Sequence, residues 1–380
     1  MNTAVLKETA KRNPPLLLTL VVTEKCNLDC IYCFVVNKSR HKMPLEIALR
    51  KVDKYLNLET TEFDHVVIDF TGGEPLLNFS LIRKVVDYVV GRKWRNKFSF
   101  FIGTNGTLIT PEILEWSDRH RCVTFALSLD GTGEVHDKNR SGSYNAVLKN
   151  IDFFKKWPDQ KVKMTIVPNS INNIARGIKN VHRLGMGVAA NVVFENVWGK
   201  EKTQYLEIFD KQLRELVDFY FKNTELEPPY LVDMPIESLL FPKKKNEKFC
   251  GSGKNMITVD VNGIEYPCHR FLPMSSSNPN PKPNLRFTNI KPEKCDNCAL
   301  LTICPSCSAY NYECNSDIHY RTTYHCEFIK LQALASAKLK YLKLRRDVIK
   351  NPPDKCGISK GAKIKRTIES IRLLMDKFAV

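Results

Sequence analysis

Three cysteines lie close together near the beginning of the chain, in the sequence Cys26-Asn-Leu-Asp-Cys30-Ile-Tyr-Cys33. The residues around them are largely polar, which predicts a loop rather than the buried face of a helix. Soft thiolates held this close together suit an iron–sulfur cluster better than a hard metal ion. Three thiolates would bind three irons of a [4Fe–4S] cluster and leave the fourth iron for an outside ligand. A zinc site and three core cysteines are the alternatives that the residues leave open.

The cysteine loop follows the first of six short apolar runs that alternate with amphipathic stretches. We predict strands at 16–22, 66–70, 98–102, 123–127, 162–167 and 188–194, and helices near 44–57, 80–92, 111–119, 144–156 and 173–184. Strands that alternate with helices predict a parallel sheet with right-handed crossovers. We therefore expect an α/β fold, a partial (β/α)6 TIM-like barrel, with its chemistry at the carboxyl ends of the strands.

Polar motifs occur at successive strand ends. The second strand ends in Thr71-Gly72-Gly73-Glu74-Pro75, and the third in Gly103-Thr104-Asn105-Gly106. The fourth ends in Ser128-Leu129-Asp130-Gly131 and is followed by Arg140, and the sixth carries Asn191. Any one of these motifs is typical of an ordinary turn. Their order at successive strand ends indicates one shared site.

Together with the cysteine loop, these motifs resemble those of the radical S-adenosylmethionine (SAM) superfamily. In that superfamily the open iron binds the amino and carboxylate groups of SAM, and reductive cleavage of SAM supplies a 5′-deoxyadenosyl radical that abstracts a substrate hydrogen. The resemblance makes Cys26, Cys30 and Cys33 the ligands of the catalytic cluster. In relatives the GGEP segment contacts the amino group of SAM, while the Ser128 and Arg140 positions hold its ribose and carboxylate. The implied SAM site comprises Tyr32, Gly72, Gly73, Glu74, Thr104, Asn105, Ser128, Asp130, Arg140 and Asn191.

Eight of the thirteen cysteines lie between residues 250 and 326, where helical periodicity is weak. A segment of this composition needs metal centres to hold it together. A zinc knuckle is one alternative, although five residues between two C-x2-C pairs are few for a zinc ribbon. After a radical SAM core, the pattern resembles the SPASM domain, a C-terminal iron–sulfur domain with two auxiliary [4Fe–4S] clusters. The expected cofactors are therefore SAM and three [4Fe–4S] clusters.

The resemblance to the SPASM domain implies two sets of cluster ligands. The distal cluster would be held by Cys295, Cys298, Cys304 and Cys326. The cluster nearer the barrel would be held by Cys250, Cys268 and Cys307. The family usually ends this pattern in C-x3-C, whereas this chain has Cys304-Pro-Ser-Cys307, so the fourth ligand of the nearer cluster stays open. Cys314 is a candidate for it.

Length, charge and composition limit the class of protein and its compartment. The chain has 380 residues and a net charge of +17, and 13 Lys and Arg lie between residues 338 and 377. No apolar run reaches the roughly 18–20 residues that span a bilayer, and the odd cysteine count argues against a disulfide framework, so we expect a cytoplasmic protein with no membrane partner. The expected parts are an N-terminal extension at 1–15, the barrel core at 16–200, a helical linker at 201–245, the SPASM domain at 246–330 and a basic helical tail at 331–380.

Two kinds of enzyme share this layout in the family. Peptide maturases install thioether or carbon–carbon crosslinks, and anaerobic sulfatase maturases oxidise Cys or Ser to formylglycine. In sulfatase maturases an Asp directly after the second hairpin cysteine is the general base. Here His269 follows Cys268, and a neutral imidazole could accept a proton near pH 7. We therefore expect a peptide maturase that forms a thioether or related crosslink, with the sulfatase-type reaction as the alternative.

The expected partners follow from this reading. A precursor peptide, acidic to complement the basic chain, would be the substrate, and flavodoxin or ferredoxin is the kind of electron donor expected. Only about 15 residues precede the first strand, so we expect no N-terminal leader-binding domain. The basic tail fits solvated helix faces, with an acidic peptide or RNA as the other possible uses. A non-catalytic RNA-binding protein is the alternative outside the enzymes, although we do not expect nucleic acid as a partner.

Overall fold

A computed structural model of the chain describes residues 14–240, 250–284, 292–350 and 358–378. Most of the predicted N-terminal extension, the Lys-rich stretch after Pro242, the Pro352-Pro353 break and Cys356 lie outside these ranges. The strands are β1 (Leu16–Thr23), β2 (His65–Gly72), β3 (Lys97–Thr104), β4 (Val123–Leu127), β5 (Val162–Ile166), β6 (Val188–Val192), β7 (Met256–Val259) and β8 (Glu265–Tyr266).

Six of the strands form one sheet in the order β4-β3-β2-β1-β7-β8, and β5 and β6 form a two-stranded sheet. β1 to β4 and β7 are parallel, with Leu18 opposite Ile68 and Ile68 opposite Phe100. The end of β4 also meets β5, because Leu129 N–H donates to the Lys163 carbonyl at 3.0 Å. The α/β class with parallel strands is confirmed. The pairing of β1 with β7, the first strand of the cysteine-rich half, was not predicted.

Side chains along each strand point alternately to the two faces of the sheet. On one face Leu16, Leu18 and Leu20 of β1 are fully buried, and so are their partners on β2, which are Val66, Ile68 and Phe70. Burying one such side chain stabilises the fold by about 1.5–3 kcal/mol, so this apolar face holds the sheet against its helices. The opposite face, called the polar face below, includes one row of paired positions. That row consists of Thr258, Thr19, Asp69, Phe101 and Thr124.

The α-helices follow the strands as the periodicity predicts, with two differences. A helix at Gly133–Asn139 has no apolar repeat and was not predicted. The predicted helix at 144–156 is broken into two, because the Asn150 side chain donates to the carbonyl of Gly106 at 3.0 Å. The helices are α1 (Leu45–Leu56), α2 (Phe79–Val90), α3 (Pro111–Arg119), α4 (Gly133–Asn139), α5 (Tyr144–Leu148), α6 (Ile151–Phe154), α7 (Ile174–Arg183), α8 (Lys202–Lys222), α9 (Ser308–Asn315), α10 (Cys326–Lys350) and α11 (Ile358–Phe378).

The described residues divide into two compact units. The first contains residues up to Lys163, the segment Leu184–Gly187 and the segment that begins at Gly251, so the β7–β8 hairpin belongs to it. The second contains the rest, and one of its hydrophobic clusters packs Met234 and Ile236 with Leu300, Ile329 of α10 and Leu374 of α11. Within the described ranges, no helix combines the length and the apolar character needed to cross a bilayer.

Candidate active site

The cysteine loop follows β1 directly and lies in the first unit. Cys26, Cys30 and Cys33 are partly exposed free thiols, and the Cys33 N–H donates to the Cys30 carbonyl at 3.0 Å. Burial raises the pKa values of Cys26 and Cys30, and each thiol lies near enough to the others to raise them further. The fold therefore brings the three predicted ligands together.

Two cations lie beside the three thiols. Lys38 donates to the Leu28 carbonyl at 3.1 Å and to the Asp29 carboxylate at 2.6 Å, which holds its ammonium near Cys33 and Cys26. Arg140 lies near Cys30 and lowers the pKa of its thiol, against the larger effect of burial. Positive charge stabilises thiolates, which are the form of cysteine that binds metals.

The end of β2 approaches the cysteine loop through two glycines. Gly73 N–H donates to the Thr23 carbonyl at 3.1 Å, and Glu74 N–H donates to the Lys25 carbonyl at 2.9 Å. A Cβ on Gly72 would lie 1.9 Å from the Thr23 oxygen, and one on Gly73 would lie 2.5 Å from the Lys25 oxygen. Only residues without a side chain permit this approach.

Glu74 is a buried carboxyl group held by three donors. Thr104 Oγ1 donates to it at 2.7 Å, Asn105 N–H at 2.8 Å and Leu76 N–H at 3.1 Å. Burial raises the pKa of Glu74 to about 7, and the three hydrogen bonds oppose that rise. The Asn105 side chain also donates to Asn27 in the cysteine loop at 2.9 Å. The predicted residues Glu74, Thr104 and Asn105 thus form one network.

Asp130, after β4, is the centre of a second network. Its carboxylate accepts from Tyr32 Oη at 2.5 Å and from Asn139 Nδ2 at 3.2 Å, and it pairs with Arg140 Nε at 3.2 Å. Burial opposes the charge of Arg140, but Asp130 and Tyr32 raise the pKa of its guanidinium. The guanidinium also lies 5.3 Å from the centroid of the Tyr32 ring. Three predicted SAM-site residues are therefore mutually ordered.

His136 contacts this network through the backbone of Asp130. It was not identified from the sequence. Its Nδ1 accepts the Asp130 N–H at 3.2 Å, and its Nε2 lies 3.0 Å from Ser143 Oγ. Burial and then Arg140 lower the pKa of His136 to about 4, so the ring is neutral at pH 7. Its position six residues after Asp130 is the signal that could have pointed to it.

The remaining predicted residues are more dispersed. Ser128 is partly exposed at the end of β4, where its N–H donates to the Thr104 carbonyl at 3.0 Å. Asn191 is exposed on β6 and belongs to the second unit. His269 lies in the first unit, its ring centroid 5.2 Å from that of Phe34. Burial, then Arg270 and Lys163, lower the pKa of His269 to about 4, so its imidazole is neutral but only weakly basic.

Most of this site lies within residues that match a known protein family. The sequence profile of the Radical SAM superfamily matches residues 20–169, a range that holds the cysteine loop and both networks. Residues 20–169 therefore form a radical SAM domain. The chain that carries this domain is an enzyme.

Two related sequences extend this likeness beyond the matched range. An uncharacterised protein of Methanocaldococcus jannaschii is 29% identical, covering 73% of this chain and 93% of the relative. A cysteine-type anaerobic sulfatase-maturating enzyme of Clostridium perfringens is 25% identical, covering 68% of this chain and 75% of the relative. The similarity therefore reaches past the barrel into the cysteine-rich half.

Two solved structures share the fold. Native anSMEcpe with bound AdoMet aligns with a TM-score of 0.69 at 20% identity, covering 88% of this chain and 100% of that one. Streptococcus suis SuiB bound to precursor peptide SuiA aligns with a TM-score of 0.55 at 18% identity, covering 84% of this chain and 77% of that one. At these identities the structures show the common fold.

The donor set of the cysteine loop fits the cofactor of a radical SAM enzyme. Three soft thiols and two flanking cations suit an anionic iron–sulfur cluster. The turn at Gly72 and Gly73, called the glycine turn below, brings the backbone after β2 close to the loop. A zinc ion bound at about 2.3 Å would need sulfurs about 4 Å apart. Among the described residues, no group of three or more thiol, imidazole or carboxylate side chains has the arrangement that binds a single metal ion.

In the second unit of the enzyme, four cysteines surround one cavity of about 340 Å³. Cys295, Cys298, Cys304 and Cys326 all line it, and Cys307 lies at the same cavity. Burial raises the pKa of Cys304 to about 12; the other three thiols raise it further, while Arg321 lowers it. The four residues predicted to hold the distal cluster are thus brought together.

The residues predicted for the nearer cluster are divided between the units. Cys268 is buried in the first unit, while Cys250 and Cys307 are partly buried in the second. The Cys307 sulfur accepts the Tyr310 N–H at 3.5 Å, at the start of α9. Cys314 is exposed near the end of α9 and interacts with the Tyr310 hydroxyl. Cys122 is half-buried just before β4.

Sequence reading missed one pair of charged residues. Asp69 on β2 and Lys163 on β5 lie on the polar face, and each affects the pKa of the other. The signal was a single ionisable residue inside an otherwise apolar strand, which is rare unless the residue is paired or functional.

Proposed function

We propose that this radical SAM enzyme is a peptide maturase that forms a thioether or related crosslink in a ribosomally made precursor peptide. The observation that carries the proposal is the site after Cys268. There a neutral His269, beside the cations Arg270 and Lys163, occupies the position where the resemblance to sulfatase maturases places a carboxylate base. The likeness of fold to SuiB bound to its precursor peptide supports the same class.

Bound SAM and a reduced cluster would supply the radical that removes one substrate hydrogen. The chain's own residues have three tasks in this proposal. Cys26, Cys30 and Cys33 hold the cluster, with Lys38 and Arg140 balancing its charge. The glycine turn and the Glu74 network shape the place for the SAM amino group, and Asp130 keeps Tyr32 and Arg140 in position. Crosslinking then removes two hydrogen atoms from the peptide overall.

His269 would take part as an orienting group or weak proton acceptor. A base with a pKa near 4 accepts a proton from a neutral thiol poorly at pH 7. It suits a reaction in which the substrate has become more acidic before it gives up its proton. The four cysteines around the cavity of the second unit would hold an auxiliary [4Fe–4S] cluster, and Cys250, Cys268 and Cys307 would contribute to another. A cytosolic flavodoxin or ferredoxin would supply the electrons.

The second candidate is a sulfatase-type maturase. It is favoured by the 25% identity to the Clostridium perfringens enzyme over more than two thirds of both chains. The two reactions differ in what happens to sulfur. Crosslinking keeps the cysteine sulfur and removes two hydrogens, whereas conversion of Cys to formylglycine removes the sulfur as hydrogen sulfide.

The test co-expresses the enzyme with every short open reading frame of its source genome and compares peptide masses. We expect one peptide to lose two hydrogens, keep its sulfur and resist alkylation, and to stay unchanged with the Cys26→Ala enzyme. The Cys122→Ala enzyme is the matched control and should still modify it. A Cys-containing peptide that carries a sulfatase active-site sequence is added to the set. Loss of sulfur with a new aldehyde in it would establish the second candidate, and no modified peptide in the set would contradict both.

A further inference from the structure

The cysteine-lined cavity of the second unit also contains a buried positive charge. Arg321 lines this cavity, called the cysteine cavity below, and is only 8% exposed. The predicted ligands of the distal cluster line the same cavity; they are Cys295, Cys298, Cys304 and Cys326. An arginine side chain stays charged in proteins and is rarely buried unless it is paired. Arg321 therefore requires a partner.

The described part of the chain offers Arg321 no such partner. Within those ranges its guanidinium forms no ion pair and donates no hydrogen bond. Glu327 is the one carboxylate among the described residues that line the cavity, and it pairs with Lys202 at 2.8 Å. The His325 ring at the same cavity donates from Nε2 to the Val193 carbonyl at 2.6 Å. Since an unpaired buried charge is strongly unfavourable, an anion is expected inside the cavity.

The other cations at the cysteine cavity differ from Arg321 in their exposure. Lys294, Lys330 and Lys377 line it as well, and all three are exposed. Water and dissolved salt screen an exposed charge, so each lysine acts on the interior of the cavity more weakly than a buried charge does. Arg321 is therefore the cation with the strongest effect on an anion bound there.

The backbone on both sides of Arg321 is fixed by α9. The residue before it, Tyr320, accepts a hydrogen bond at its carbonyl from the Asn315 side chain at 3.2 Å. The residue after it, Thr322, donates its N–H to Asn311 Oδ1 at 3.1 Å. Asn311 is itself buried. The arginine is thus held in position before any anion binds, which lowers the cost of binding.

Asn311 also connects this segment to the cysteines. Its Nδ2 donates to Ser306 Oγ at 3.1 Å, and Ser306 lies in the turn between Cys304 and Cys307. One buried side chain therefore contacts both the turn that carries two thiols and the segment that carries Arg321. This arrangement relates the position of the cation to the position of the thiols.

We propose that Arg321 is the counter-cation of an iron–sulfur cluster in the cysteine cavity and that it favours the reduced form of that cluster. The inference rests on the proposed function in one respect, that the four cysteines hold such a cluster. Reduction adds one electron and breaks no bond, so the cluster gains one negative charge. A cation fixed away from water stabilises the more negative form, which raises the reduction potential.

The test measures the reduction potential of this cluster in reconstituted full-length protein. EPR spectra are recorded at measured potentials while dithionite is added, and the signal that is absent from Cys295→Ala is assigned to the cluster in the cysteine cavity. We expect Arg321→Gln to lower the equilibrium constant for its reduction at least tenfold, which is about 59 mV for a one-electron couple. Arg321→Lys keeps the charge and should stay closer to the wild type.

Lys330→Gln is the matched control, because it removes one positive charge from an exposed position at the same cavity. Screening by water and salt should keep its effect on the equilibrium constant below about threefold. An unshifted potential in Arg321→Gln, or equal shifts in Arg321→Gln and Lys330→Gln, would overturn the proposal.

Iron content decides if Arg321→Gln does not retain the cluster. A loss of about four iron atoms per chain in Arg321→Gln, with full iron in Arg321→Lys, would support the same role for the charge. Equal losses in both variants would show that the arginine shapes the fold, and would overturn the proposal. Wild-type iron and an unchanged spectrum in Cys295→Ala would contradict the auxiliary cluster itself. A modified peptide together with an unshifted potential in Arg321→Gln would count against this inference alone.

Discussion

Glu74 is a residue whose ionisation is strongly tied to folding. Its carboxyl group has a pKa of about 7 when folded, against an ordinary value of 4.5, because it is buried. The folded protein therefore keeps a proton that the unfolded chain has released, and stability contributed by this group is full below about pH 4.5 and is lost as pH rises through about 7. We expect the free energy of unfolding of the apoprotein to fall by about 3 kcal/mol over that window on account of Glu74.

The measurement is denaturant unfolding of the apoprotein between pH 4.5 and pH 8, compared with Glu74→Gln. The variant cannot ionise and should not show this part of the fall. Glu134→Gln, a change at an exposed residue of α4, is the control and should follow the wild type. Parallel pH curves for the wild type and Glu74→Gln would refute the burial argument.

Asp130 is the residue on which the second network depends. Asp130→Asn would leave the buried Arg140 charge without its partner, which in proteins costs about 3–5 kcal/mol. We expect a loss of that order in the free energy of unfolding, measured in denaturant. Asp152→Asn breaks an exposed pair with Lys155 in the same unit and should change little. Similar stability of the two variants would show that the network does not hold the loop.

At the residue scale, sequence reading found the groups that occur in motifs and missed those that occur alone. Cys26, Glu74 and Asp130 stand in recognisable strings. Asp69 and Lys163 are isolated charges in apolar strands, and the partner of each lies on a different strand. Spacing along the chain carries no information about such a pair, since it depends on which strands become neighbours.

At the element scale, the turn after β2 decides how closely the sheet meets the cysteine loop. Gly72 has φ of +149° and Gly142 has φ of +68°, so both would be strained by a side chain. Only Gly72 also faces backbone at 1.9 Å, whereas nothing lies within 4 Å of the Cβ position at Gly142. We expect Gly72→Ala to destabilise the protein by clearly more than the roughly 1–2 kcal/mol of backbone strain that Gly142→Ala would add.

Thermal unfolding and iron content of the two reconstituted variants measure this difference. Gly72→Ala should also bind less iron at the cysteine loop, because the displaced turn would move Thr23 and Lys25. Gly142→Ala should keep its iron. Equal iron and equal midpoints would mean that the close approach has no structural role.

The elements themselves were largely readable from local pattern. The predicted strand at 123–127 and helix at 111–119 match the structure, and β1 extends one residue beyond its predicted end. Period-2 and period-3.6 repeats encode such segments. The pairing of β1 with β7 could not be predicted, because a hydrophobic repeat indicates that a strand is present but not which strand it pairs with. α4 was missed because its sequence is nearly all polar.

At the scale of the whole molecule, the cavity lined by cysteines in the second unit is the main test of the auxiliary-cluster assignment. Cys295→Ala removes one of the five thiols that line it and one of the four predicted to hold the distal cluster. Since such clusters are held by four thiolates, we expect total iron to fall by about four atoms per chain, while 5′-deoxyadenosine is still formed. Cys122→Ala should keep the full iron content. An unchanged iron content in Cys295→Ala would remove this cluster from the account.

The central claim is that the loop at Cys26, Cys30 and Cys33 makes this protein a SAM-cleaving enzyme. The most direct measurement is the formation of 5′-deoxyadenosine from SAM and dithionite, with protein reconstituted without oxygen. The wild type and Cys122→Ala should form it at comparable rates, and Cys26→Ala should form none, because a cluster that lacks one of its three thiolates has lost the ligand set that leaves a single iron open for SAM. Formation of 5′-deoxyadenosine by Cys26→Ala at the wild-type rate would contradict the account.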